Sequence, residues 1–175
     1  KPFFIMANAA DPHRPFAGAK GDAFKKIPFP REIDPKQVPV PGFLPDLPDI
    51  RTELATYFQS VARADQVVGA VLDELQKSGQ ADNTLVLFLS DHGMPLPYAK
   101  TNCYLASNIT PFILRWPGHI KSGSTDKKNL ISTIDVAPTF LAAAGIENLE
   151  GANGLSLLPL MKGTEQPGRN RVFTF

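Results

Sequence analysis

The sequence is poor in the features that most quickly assign a protein. It carries one cysteine in 175 residues, Cys103, which excludes an internal disulfide and any multi-cysteine zinc site. It has no excess of charge: 18 Lys and Arg stand against 17 Asp and Glu, for a net charge of +1, so nothing suggests a surface built for nucleic acid. No stretch approaches the ~20 apolar residues that span a membrane. What is present is ordinary for a globular chain, with 43% hydrophobic and 20% charged residues. A chain of this length buries roughly 70% of the surface its unfolded form exposes.

Lys1 and Pro2 lead directly into the apolar run Phe3 to Ala10, which reads as a buried strand with no cap or leader before it. The far end, Val172 to Phe175, reads as a strand cut short. The expectation is that the chain begins in the middle of a protein.

Between Asp11 and Asp49 fall nine of the 17 prolines. Each removes a backbone donor and fixes φ, so residues 11–49 form a long irregular loop, either the rim of a site or a surface connection. From Arg51 to Ser78 apolar residues recur at threes and fours, from Leu54 to Leu75, which predicts one long amphipathic helix with Asp49 as N-cap and Gly79 as stop. Arg63, Asp65, Asp73, Glu74 and Lys77 then form a solvated face. Thr84 to Leu89 is a short apolar run rich in β-formers, matching a strand buried on both faces. Thr110 to Trp116 reads as a second strand, Asn129 to Ser132 as a short third, and Asp135 caps a helix over 136–144 that Gly145 ends. This alternation predicts an α/β sheet with helices on its faces.

Ser90-Asp91-His92-Gly93 follows the buried strand directly. Ligands of open α/β sheets bind at the carboxyl ends of strands, and a carboxylate beside an imidazole, followed by a glycine that permits a sharp turn, suits a divalent metal. The same pattern also fits an Asp cap and a hydrogen-bonded His in an ordinary loop, since two ligands do not close a site. Asp11-Pro12-His13-Arg14-Pro15 leaves the first run in the same way; His13 and Arg14 suit an anion, or His13 caps the loop. Lys100, nine positions after Asp91, is either an anion-binding point charge or a solvated surface lysine. His119 and Cys103 read as structural.

Together the segments PFFIMANAADPHRPF, DQVVGAVLDELQKSGQADNTLVLFLSDHGMP, TPFILRWPG and STIDVAPTFLAAAGI resemble, in the expected order, the sulfatase family of the alkaline phosphatase superfamily. DPHRPF combined with SDHGMPLPYAKTN looks most like the heparan N-sulfatase (sulfamidase) branch. The resemblance implies a three-layer α/β sandwich with a mostly parallel mixed sheet flanked by helices, incomplete in this chain, of which residues 1–175 are the C-terminal portion of the catalytic domain. It implies a sulfuric-ester or sulfamate hydrolase acting on sulfated carbohydrate. Asp91 and His92 are then metal ligands, with Ca2+ the first expectation and Mn2+, Mg2+ or Zn2+ the alternatives, because a nitrogen donor stands where many members have Asn. Lys100, contacting a sulfate oxygen, and His13, contacting the sulfate or the leaving-group region as a candidate proton donor, are then catalytic, and Arg14 joins them as a substrate-binding residue.

The family nucleophile is a formylglycine made from a C-x-P-S-R or C-x-A-S-R type motif, which does not occur here; Cys103, in CYLAS, lacks its pattern. The nucleophile is therefore expected upstream, and the chain alone is expected to be inactive. Members are commonly secreted, periplasmic or lysosomal. The competing readings are a phosphodiesterase or phosphonate hydrolase on the same scaffold, and a non-catalytic fragment.

Overall fold

The computed structural model describes residues 1–146, 150–165 and 168–173. The chain divides into two units, Lys1–Ala81 with Met94–Lys100, and Asp82–Gly93 with the chain from Thr101 onward.

The first unit is organised by helix α1, Pro48–Lys77. It starts three residues before the predicted position because Pro48 sits at its first position, where a missing N–H costs nothing; Asp49 is in the first turn and Leu47 occupies the N-cap. Gly79, with φ of +73°, ends it as expected. Leu54 and Ala55 pack with Val38, Leu44 and Leu96, so the helix, the proline-rich segment and the 94–100 loop share one small core. Only the first half of the predicted apolar stripe is covered, and Val61, Val67, Val71 and Leu72 are exposed. Residues 11–47 hold a single 3-10 turn, Pro35–Gln37.

The strand expected at Phe3 to Ala10 does not form. These residues are exposed, Phe4 by 75%, and no strand among the described residues pairs with them. An apolar run becomes a strand only against a neighbour that completes its ladder.

A second correction concerns Arg63, which is not on a solvated face but 1% exposed. Its Nε and Nη2 donate to the two oxygens of Asp11 at 2.6 and 3.0 Å. Nη1 and Nη2 donate to those of Asp22 at 3.1 and 3.0 Å, and Nη1 also reaches the Phe24 carbonyl at 3.1 Å. A guanidinium has five N–H donors, and with a longer reach from Nη1 to the Ile27 carbonyl at 3.5 Å none is left over. The Arg63 fork, helped by the Gly18 and Phe24 amides and opposed by burial, holds the Asp22 carboxyl at a pKa of about 2. Beside it, the Ala17 N–H donates to Ser60 Oγ at 2.7 Å. The first irregular segment is thereby fixed to α1 by polar bonds.

In the second unit, β1 (Val86–Leu89) pairs antiparallel with β2 (Phe112–Arg115), Leu89 opposite Phe112 and Val86 opposite Arg115. Both strands are shorter than predicted, and β1 is not buried on both faces: Phe88 is 42% exposed. The expected sheet is mostly parallel, whereas this pair, the one ladder among the described residues, is antiparallel. A mixed sheet accommodates such a pair. The third predicted strand reduces to a single bridge, Leu130 to Arg169. Two one-turn helices were not foreseen, α2 (Leu105–Asn108) and α4 (Leu158–Met161); α3 spans Val136–Ala143 and stops at Gly145, φ +72°. Of the strand read at Val172 to Phe175, Val172 and Phe173 have no regular structure and the last two residues lie outside the described ones. No helix of the described residues is long and apolar enough to cross a membrane.

Asp135 is not the side-chain cap of α3. It closes a capping box with Ser132 one turn earlier, and its carboxylate, 1% exposed, accepts from the Ser132 and Leu155 amides at 2.8 Å each and from both Arg169 Nη atoms. Burial pushes this carboxyl up, but Arg169 and the two amides outweigh it and hold it below the usual range. Thr139 Oγ1 donates to the Asp135 carbonyl at 2.6 Å and accepts from the Leu157 amide at 2.9 Å, which ties residues 155–157 to α3.

Replacing Arg63 by Met leaves two carboxylates without a counter-charge in a buried site. We expect a loss of about 3 kcal/mol or more of unfolding free energy in denaturant titration; a change under about 0.5 kcal/mol would contradict the role given to the pair. The Asp22 carboxyl is depressed in the folded state, so its contribution is full above the unfolded pKa of about 4 and is lost as pH falls through about 2. Stability measured against pH should drop by about 2 kcal/mol over that window, and Asp22→Asn should flatten that part of the curve.

Candidate functional site

The end of β1 builds the first group of candidate residues. The Ser90 N–H donates to the Pro111 carbonyl at 3.3 Å, and Thr110 Oγ1 donates to the Ser90 carbonyl at 3.1 Å, so the chain leaves the ladder at a fixed point. Ser90 Oγ then donates to the His92 carbonyl at 2.9 Å, and the Gly93 N–H to the Ser107 carbonyl at 3.0 Å. Within this turn the Asp91 Oδ1 accepts from the His92 amide at 3.0 Å, while Oδ2 lies 3.4 Å from His92 Nε2. His92 Nδ1 is 2.8 Å from the Gly93 carbonyl. A carbonyl only accepts, so Nδ1 donates to it, and Nε2 is the ring atom that faces the Asp91 carboxylate.

A nitrogen and an oxygen 3.4 Å apart lie within reach of one divalent ion bonded to each at about 2.0–2.6 Å. The carbonyl behind Nδ1 is the kind of partner that orients metal-binding histidines. The residues present fit a metal as a two-donor part of its shell. Among the described residues no group of three or more His, Cys, Asp or Glu side chains converges on one point.

The other candidates lie in the first unit. The His13 N–H closes a turn on the Ala10 carbonyl at 2.9 Å, and the Nδ1 of this exposed ring meets the Arg14 carbonyl at 2.7 Å. Arg14 is already engaged: it pairs with Glu53, donates from Nε to the Pro95 carbonyl at 3.1 Å and lies 4.7 Å from the centre of the Phe16 ring. That bond joins the His13 segment to the 94–100 loop that carries Lys100. In this loop Leu96 and Ala99 are buried, and Lys100 is half-buried. His119 stacks on Trp116 with ring centres 3.8 Å apart, and Cys103 is exposed.

Sequence reasoning missed Arg63 and the part Asp11 plays with it. The signal was available: Ala55, Gln59 and Arg63 are four apart, one row on the helix, and all three are buried. Because Asp11 precedes His13 by two residues, the buried pair also fixes where the His13 turn starts.

The family model for Sulfatase matches residues 1–146. N-sulphoglucosamine sulphohydrolase of Homo sapiens is 36% identical over 155 residues, covering 81% of this chain and 31% of its own. A solved structure described as a complex with its substrate D-glucosamine-2-N,6-O-disulfate superposes with a TM-score of 0.58 at 32% identity, over 73% of this chain and 28% of that one. A phosphonate monoester hydrolase from Silicibacter pomeroyi gives 0.60 at 30% identity, over 71% and 26%. These likenesses give the chain an alkaline phosphatase-like α/β fold, of which it holds a part. The chain spans between a fifth and a third of the length of the curated relatives it matches. With the family model matching most of its length and a relative 36% identical over 81% of it, the chain belongs to the sulfatase family.

Proposed function

We propose that this chain is the C-terminal portion of a sulfatase catalytic domain, and that the whole protein hydrolyses a sulfuric ester or sulfamate on a sulfated carbohydrate. The observation that carries the reading is the Asp91–His92 pair, a carboxylate oxygen and Nε2 brought within 3.4 Å of each other at the end of β1, with Nδ1 turned to the Gly93 carbonyl. The substrate class rests on likeness to the human N-sulphoglucosamine sulphohydrolase and to the structure bound to a glucosamine disulfate. The nucleophile is a formylglycine supplied upstream, since no C-x-P-S-R or C-x-A-S-R type motif occurs in these 175 residues.

Hydrolysis of a sulfate ester gathers negative charge on the transferring group and on the leaving atom, so fixed positive charge around it lowers the barrier. Asp91 and His92 Nε2 would hold a divalent ion, Ca2+ in the first instance, which supplies that charge against the sulfate oxygens. Lys100 adds a point charge on a sulfate oxygen. His13, with Nδ1 tied to the Arg14 carbonyl, presents Nε2 for proton transfer to the leaving group. Arg14 lines the substrate side while its guanidinium holds the turn to the Pro95 carbonyl. A phosphonate or phosphodiester hydrolase is the second reading, favoured by the likeness to the Silicibacter enzyme. Substrate profiling of the whole protein, aryl sulfate against phosphonate monoester, decides between the two.

In the whole protein, Asp91→Ala and Lys100→Ala should each lower kcat for an aryl sulfate by about a hundredfold or more, whereas His119→Ala, which removes only a ring stacked on Trp116, should change it little. Equal losses in all three would sink the assignment. Calorimetric titration with Ca2+ and with Mn2+ should show weaker binding in Asp91→Ala and His92→Ala. Unchanged affinity in both would remove the pair from the metal shell.

A further inference from the structure

Lys100 stands in an unusual stretch of backbone. Among the described residues ten have a positive φ, and eight of them are glycine; the two exceptions are Tyr98, φ 66°, and Thr101, φ 58°. Both lie within two residues of Lys100. A left-handed backbone is strained for a residue with a Cβ, and more so for a β-branched one such as Thr101, so it persists only where the surroundings enforce it. The enforcement is visible. Leu96 is buried against Val38, Leu44, Leu54 and Ala55, and Ala99 is fully buried. The Leu96 N–H donates to the Met94 carbonyl at 2.8 Å and the Ala99 N–H to the Leu96 carbonyl at 3.1 Å, while Arg14 Nε holds the Pro95 carbonyl. Leu96 and Ala99 are both buried within this short turn, and the chain passes through the left-handed region at Tyr98 between them and again at Thr101, directly after the lysine.

Elsewhere the chain meets the same φ requirement with glycine, which carries no strain but leaves the backbone free to move. We propose that Tyr98 and Thr101 are positioning residues, whose left-handed backbone holds Lys100 in the one orientation that presents its ammonium to the sulfate. The proposal rests on the reading of Lys100 as a sulfate contact. It adds that the side chain acts from a preset loop and does not search for its partner, so that less freedom is lost when the anion binds.

The test uses the whole protein and two readouts, kcat for an aryl sulfate and the inhibition constant of inorganic sulfate. Thr101→Gly and Tyr98→Gly, which keep the left-handed region open but free the backbone to leave it, should weaken sulfate inhibition by about two- to fivefold, a smaller loss than from a residue that excludes positive φ. Thr101→Pro, which excludes positive φ, should weaken sulfate inhibition by tenfold or more and lower kcat. In a Lys100→Ala background the same proline should cause no further loss, since its effect runs through the lysine. Thr101→Ile retains the N–H and disfavours the left-handed region. It should give the same pattern at smaller amplitude, so the outcome does not depend on the proline variant folding. Equal losses with and without Lys100, or parent-like values for both Thr101→Pro and Thr101→Ile, would overturn the positioning role while leaving Lys100 as a contact. An inert Lys100→Ala would instead overturn the assignment of the lysine, and this inference with it.

Discussion

The arrangement of the first unit depends on one buried cation. Arg63 leaves the middle of a 30-residue helix and spends every N–H it has on Asp11, Asp22 and the Phe24 and Ile27 carbonyls. A buried charge without partners is severely unfavourable, and partners drawn from a proline-rich segment otherwise lacking regular structure give that segment a definite path. His13 follows Asp11 by two residues, so the imidazole inherits its place from the ion pair. The apolar core of this unit is small, and the polar triad carries work that burial of hydrophobic surface does in larger cores.

The second unit solves a similar problem with the opposite charge in the centre. Asp135 is the buried group there, and it gathers the Ser132 and Leu155 amides and the Arg169 fork around its two oxygens. Gly154, next to Leu155, lies so near the Ile134 carbonyl oxygen that a Cβ built on it would come within 2.0 Å, a closeness of approach that only glycine permits. Each unit therefore has a satisfied ion pair at its heart and a loop hung from it.

Much of this was legible in the sequence, and what was not has physical reasons. The long helix, its glycine stop and the α3 helix ending at Gly145 follow from local rules of periodicity and capping. The SDHG turn after a strand was equally readable, because the end of a strand is where a side chain leaves the sheet. Strand pairing was not: the run Phe3 to Ala10 has strand composition, but a strand is a relation between two segments, and composition describes only one. Arg63 was misread because charge predicts exposure on average, and the exception is a long-range pair 52 residues apart in sequence. The conformation around Lys100 was also out of reach, since neither Tyr98 nor Thr101 belongs to the residues that usually signal a left-handed backbone.

The β1–β2 ladder has a consequence beyond joining two short strands. Leu89 is matched to Phe112, and one step further the Ser90 backbone is held by Pro111 and Thr110. These bonds act as a ruler, with its zero mark at the point where the Asp91 turn begins. Because strands advance about 3.3 Å per residue and alternate faces, a slip of one residue in β2 would move that mark by more than the length of a metal–ligand bond and turn the neighbouring side chains to the wrong side of the sheet. The few residues before Phe112 thus gauge where the Asp91 turn begins, although none of them belongs to it.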